Sequence, residues 1–138
     1  MRYVVDTNVV VAGLRSPSGA SAALLDHALS ERFTLLLSVA LALEYEAVCR
    51  DPVHRIASGL SEEEVSTVVS ALCAVCEPVL PRYLWRPQLR DAADEMVFET
   101  AVNGRADALV TFNRRDFGGA PARFGIALQS PREALRSL

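Results

Sequence analysis

Short β-branched runs alternate with stretches of helical periodicity along nearly all of this chain, and that alternation limits its fold more than any other feature. Residues 2–6, 33–37 and 108–112 have the length and composition of buried strands, and 124–128 of a weaker one. The turn residues at 15–19 predict a loop, and 78–81 a short extended piece. Helical spacing covers 20–32. Ser38 predicts the cap of a helix running to Arg50 and ended by Asp51-Pro52. Ser61 and Glu64 form a capping box ahead of an apolar stripe of Val65, Val68, Val69, Leu72, Cys73 and Cys76. A further helix is expected from Asp91 to Asn103 with Gly104 as its stop, and a closing one over 131–138. Strands separated by helices imply an α/β fold with a mainly parallel sheet covered on both faces, and in such sheets ligands sit beyond the carboxyl ends of the strands.

Four acids stand where that geometry would collect them. Asp6 closes the first strand, and Asp116 follows the strand over 108–112. Glu44 has Ala40, Leu41, Ala47 and Val48 as helical neighbours, so it is expected to project from a buried stripe, where a glutamate needs a partner. Asp94 shares a first helical turn with Asp91 and Glu95, a cluster the helix dipole favours on its own account. Taken singly, Asp6 can be a helix cap and Asp116 a surface ion-pair partner of Arg114 or Arg115. Taken together, converging carboxylates repel unless a cation sits among them. A hard divalent ion with oxygen ligands, Mg²⁺ or Mn²⁺, is the simplest such cation, and acids holding these ions cut phosphodiesters.

Composition removes other classes. The 138 residues are one domain's worth, 51% hydrophobic, without repeat or linker, and the single domain 1–138 is the expectation. No apolar run is long enough to span a membrane, the opening residues lack signal-peptide regions, and three cysteines are not a disulfide framework, so a cytoplasmic location is expected. A net charge of −3 argues against a surface that coats nucleic acid. All fourteen basic residues are arginine, which excludes a P-loop lysine and a Schiff base. It also excludes a response-regulator receiver domain, which needs a lysine after its last strand. A haloacid-dehalogenase-like phosphatase would need Asp-x-Asp where Asp6 is followed by Thr7 and Asn8.

Val-Val-Asp-Thr-Asn at the start, Leu-Ala-Leu-Glu-Tyr around Glu44, the helix opening Asp-Ala-Ala-Asp-Glu-Met, and Val-Thr-Phe-Asn-Arg-Arg-Asp-Phe together resemble a PIN domain. The likeness runs from Met1 to about Leu128 and is nearest to the VapC-like toxin components of bacterial toxin–antitoxin pairs. It implies a three-layer α/β/α sandwich and a metal-dependent ribonuclease using Mg²⁺ or Mn²⁺. By position it implies Asp6, Glu44, Asp94 and Asp116 as the acids that hold metal and catalyse. Asp91 would be an additional acid, and Asn8, Thr111 and Asn113 would be polar groups orienting ligands or substrate. Glu95 departs from the small polar residue of many relatives. The implied chemistry is in-line attack by water, positioned by Glu44 or Asp94, leaving 5′ phosphates. Implied partners are RNA, a cognate antitoxin and a second copy of the chain.

Arg15, Arg114 and Arg115, read as loop residues near the strand ends, are candidates for binding phosphate. His27 and His54 are expected to be packing or surface residues, and Cys73 and Cys76, on the apolar stripe, core packing. Trp85, with Tyr83 and Leu84, is expected to anchor a loop rather than stack a base. A housekeeping RNA-processing nuclease and a silent scaffold that keeps the pocket are the alternatives to a toxin.

Overall fold

The computed structural model describes residues 1–82, 89 and 91–138. Strands β1 (Arg2–Val5), β2 (Thr34–Leu37), β3 (Glu77–Pro78), β4 (Ala108–Val110) and β5 (Ala127–Gln129) form one sheet in the order β3-β2-β1-β4-β5. Every pairing is parallel, with Tyr3 opposite Leu35 on one side and Ala108 on the other. The helices are α1 (Thr7–Arg15), α2 (Ala20–Leu29), α3 (Val39–Arg50), α4 (Pro52–Ser58), α5 (Glu62–Val75), α6 (Ala92–Asn103), α7 (Arg114–Phe117), α8 (Ala120–Arg123) and α9 (Pro131–Arg136).

Parallel strands need crossovers, and crossovers are right-handed. The chain steps from β1 to β2 to β3 in one direction, then returns across the sheet to β4 and β5 in the other. Equal handedness with opposite direction puts α1–α5 on one face and α6 on the other, which gives the α/β/α sandwich. The reversal falls between β1 and β4, so their carboxyl ends border the crevice. Both faces of the inner strands are therefore covered: Tyr3, Val4, Leu35, Leu36, Leu109 and Val110 are at most 1% exposed. Tyr3 lets its phenol out through this layer by donating to the Ala134 carbonyl at 3.0 Å.

Local chemistry fixes most helix ends. Ser38 accepts from the Leu41 N–H at 3.2 Å, and its hydroxyl meets that of Thr100 at 3.0 Å, tying the start of α3 to α6. Ser61 and Glu64 form the expected capping box of α5, and Ser130 with Glu133 forms another on α9. Arg50 pairs with Glu46 at 3.4 Å on α3 and with Glu62 at 3.0 Å on α5.

Several expectations are corrected. Asp51-Pro52 ends α3 but also starts α4: Asp51 accepts from the Val53 N–H at 3.0 Å and proline takes a first-turn position where its missing N–H costs nothing. On α5, Val65, Val69 and Leu72 are buried and Val68 packs half-buried against the core, as does Cys76 at the helix end; Cys73 is exposed rather than packed in the core, and Cys49 is the buried thiol. Residues 124–126 belong to the turn after α8 rather than to β5, with Gly125 at φ +72°. Tyr83, Leu84 and Trp85 lie outside the described residues.

Gly104 stops α6, but not through a left-handed backbone, since its φ is −84°. A Cβ there would come within 3.0 Å of Leu36, Val79 and the Thr100 carbonyl oxygen. Gly104→Ala is therefore expected to lower unfolding stability by about 1–3 kcal/mol through overpacking, read as a shifted denaturant midpoint with unchanged slope.

Candidate functional site

Asp6 leaves β1 at its carboxyl edge and caps α1. Its Oδ1 accepts from the Thr7 N–H at 2.8 Å, and its Oδ2 accepts from the Thr111 hydroxyl at 2.7 Å. Thr111 follows β4 directly, is fully buried, and its oxygen accepts in turn from the Asn113 N–H at 2.9 Å. That incoming donor leaves the Thr111 hydroxyl proton free to point at Asp6, so the carboxylate is oriented from both strands that border the crevice. The Asp6 N–H also bonds the Val110 carbonyl at 2.9 Å.

Glu44 lies on the second turn of α3, half-buried, and accepts a hydrogen bond from the Thr7 hydroxyl. It stands at the margin of the buried stripe, not within it: Leu41, Tyr45 and Cys49 are buried, whereas Ala40 and Ala47 are exposed. Tyr45, fully buried, donates its phenol to the Val5 carbonyl, and burial holds that phenol protonated. The strand carrying Asp6 and the helix carrying Glu44 are thereby pinned together one residue away from each acid. Thr7 and Tyr45 escape a local reading of the sequence; the signal available was a polar residue between two candidates, and a phenol on an apolar stripe that must find an acceptor.

Asp94 sits in the first turn of α6, whose N-cap is Asp91. One Asp91 oxygen accepts from the N–H groups of Ala93 at 2.7 Å and Asp94 at 3.4 Å, so this acid already serves the helix. Glu95 is buried, and its carboxylate accepts from the Leu89 N–H at 2.8 Å, fastening the approach to α6. Asp116 lies within α7, a single helical turn whose four residues are too few to leave a periodic pattern in the sequence. A cleft of about 540 Å³ opens here, with Asp91, Asp94, Asp116, Arg115 and Arg123 among its walls.

The charges report their proximity. Burial raises the Asp6 carboxyl above its ordinary value; the bonds from Thr111 and Thr7 oppose this, while Glu44 and Asp116 push it further up. The Asp94 carboxyl is pushed up to about 6, first by burial and then by Asp91, Asp6, Asp116 and Glu44. Four acids thus feel one another at one edge of the sheet. They do not form a finished cage: among the described residues, no three Asp, Glu, His or Cys side chains are disposed to hold a metal as they stand. The donor chemistry does fit a hard cation, being all oxygen, and Asn8 Oδ1, two residues along the chain from Asp6, is buried without a hydrogen-bond partner among the described residues.

The three arginines separate. Arg15 ends α1 rather than standing in a loop, and eight residues of helix carry it about 12 Å from Thr7. Arg114 is ion-paired with Glu133 of α9. Arg115 lines the cleft. His27 bonds the Ala23 carbonyl from within α2 at 2.8 Å, as a packing residue does.

A parallel α/β/α domain with acids gathered at its switch point fits the class of metal-dependent nuclease folds. The PIN domain family profile matches residues 2–115, and the chain belongs to the PIN domain family. No curated protein matches the chain significantly.

A carboxyl whose folded pKa is raised holds its proton more tightly folded than unfolded, so the stability it lends is present at low pH and lost as pH rises through that window. Metal-free protein is expected to lose stability between about pH 4 and pH 6 on account of Asp94, with Asp6 acting in the same direction. Asp94→Asn should flatten that fall and leave the metal-free protein more stable at pH 7 by on the order of 1 kcal/mol after solvent screening. Paired thermal melts across pH check it; parallel curves for the two proteins would contradict it.

Proposed function

We propose that residues 1–138 act as a single metal-dependent ribonuclease domain that hydrolyses RNA phosphodiester bonds and serves as the toxin of a toxin–antitoxin pair. The observation that supports it most is the meeting of Asp6, Glu44, Asp94 and Asp116 at the β1–β4 switch point, with Asp6 fixed from both strands. A bare acidic edge repels a phosphodiester, so this arrangement needs a divalent ion to admit its substrate. Asp6, Glu44, Asp94 and Asp116, with Asp91 as an outlying acid, would hold Mg²⁺ or Mn²⁺, which supplies charge neutralisation and Lewis acidity.

The chain's own groups do the positioning. Thr111 and Thr7 hold Asp6 and Glu44 in place, Asn8 and Asn113 offer polar atoms to ligand or substrate, and Arg115 meets phosphate oxygens. Glu44 or Asp94 would orient the attacking water, and the products would carry 5′ phosphates. The toxin assignment rests on the likeness of the four motifs to VapC-like sequences; with it go a cytoplasmic location, an antitoxin partner and a homodimer. Val39 and Leu43 on α3, and Val53 and Ile56 on α4, are exposed apolar side chains that such partners would cover.

The test is cleavage of structured and unstructured RNA in Mn²⁺ or Mg²⁺. Cutting is expected to stop with chelator and to fall at least a hundredfold in Asp6→Asn and Asp94→Asn, the scale of losing an electrostatic element of a transition state. Cutting that survives chelator or both substitutions would refute the metal mechanism, and RNA bound but never cut would favour the scaffold alternative.

A further inference from the structure

We propose that Phe112 is the platform on which a base of the substrate strand stacks; this rests on the nuclease reading above and names a specificity element of that site. Phe112 follows Thr111, the residue whose hydroxyl holds Asp6, so its ring stands one residue from the acidic centre. Thr111 is fully buried, and the chain then turns its next side chain outward: Phe112 is 53% exposed. Single exposed apolar residues are common and need no explanation. This one lines a cleft of about 610 Å³ together with Asn113, Arg115, Asp116 and Ser130, a volume that admits a nucleotide. No other ring among the described residues pairs with it.

The same wall supplies what a single strand needs. Arg114 is taken by Glu133, whereas Arg115 has no ion pair among the described residues and reaches both this cleft and the one beside Asp94. Asn113 and Ser130 present donors and acceptors for a base edge. An aromatic platform beside a cation is the usual means of binding single-stranded nucleic acid, because every base has a π-face to offer. In a duplex both faces of each base are already stacked, so a paired base reaches Phe112 only after being extruded.

The experiment compares wild type, Phe112→Ala and Phe112→Trp on a short fluorescent RNA, on the same RNA annealed to its complement, and on the DNA of the same sequence. Binding is read by anisotropy in Ca²⁺, and cleavage as KM and kcat in Mn²⁺. The proposal expects Phe112→Ala to weaken binding of the single strand on the order of tenfold, with kcat little changed. Phe112→Trp should bind as wild type, the duplex should bind weakly to all three proteins, and RNA and DNA should suffer equally. Unchanged binding in Phe112→Ala, or a loss confined to RNA that would mark a 2′-hydroxyl contact, overturns it. The two proposals fail separately: Asp6-dependent cutting indifferent to Phe112 rejects base stacking alone. Phe112-dependent binding without any cutting rejects the nuclease and leaves the stacking site standing.

Discussion

The reversal of crossover direction between β1 and β4 is the constraint from which the site follows. Two adjacent parallel strands whose connections leave in opposite senses cannot have their carboxyl ends roofed by the same helix. Asp6 at the end of β1 and Thr111 at the end of β4 are thereby left side by side, and the bond between them, with Asn113 behind it, turns a topological gap into a fixed carboxylate. Tyr45 and Thr7 extend the same rigidity to Glu44 on α3, and the capping of α6 by Asp91 aims Asp94 toward the edge from the opposite layer.

The fold brings acids together and sends several arginines elsewhere: Arg2 to Glu77, Arg50 to Glu46 and Glu62, Arg114 to Glu133. The raised carboxyls of Asp6 and Asp94 are the electrostatic cost of that segregation. Perturbed carboxyls at a sheet's switch point mark a candidate functional site.

What could be foreseen from the chain was what local chemistry writes. A strand end announces Asp6, and serine caps announce α3 and α5, because hydrogen-bonding partners three residues apart leave a pattern; Thr111 comes only from the resemblance to the PIN domain. The helix α4 left none, since it buries no residue and so has no apolar face to repeat. The turns α7 and α8 are too short for periodicity. Contacts between distant residues are silent in sequence: Thr7 and Glu44 are 37 positions apart, and nothing near Arg114 predicts that Glu133 will claim it. For the same reason Glu44 was expected deeper in its helix than it is, its alanine neighbours being apolar yet exposed. Gly104 ends α6 as its position after the last helical residue suggests, but the need for glycine there is steric, not conformational.

The most direct measurement is thermal stability at pH 7 with and without Mg²⁺ or Mn²⁺, at matched ionic strength, for wild type and Asp6→Asn. If the acids share one cation, millimolar divalent ion raises the wild-type melting temperature in a saturable way, as binding to the folded state alone requires, and leaves Asp6→Asn nearly unmoved. Equal responses from the two proteins, or none from either, would mean that these carboxylates meet for some purpose other than holding a metal.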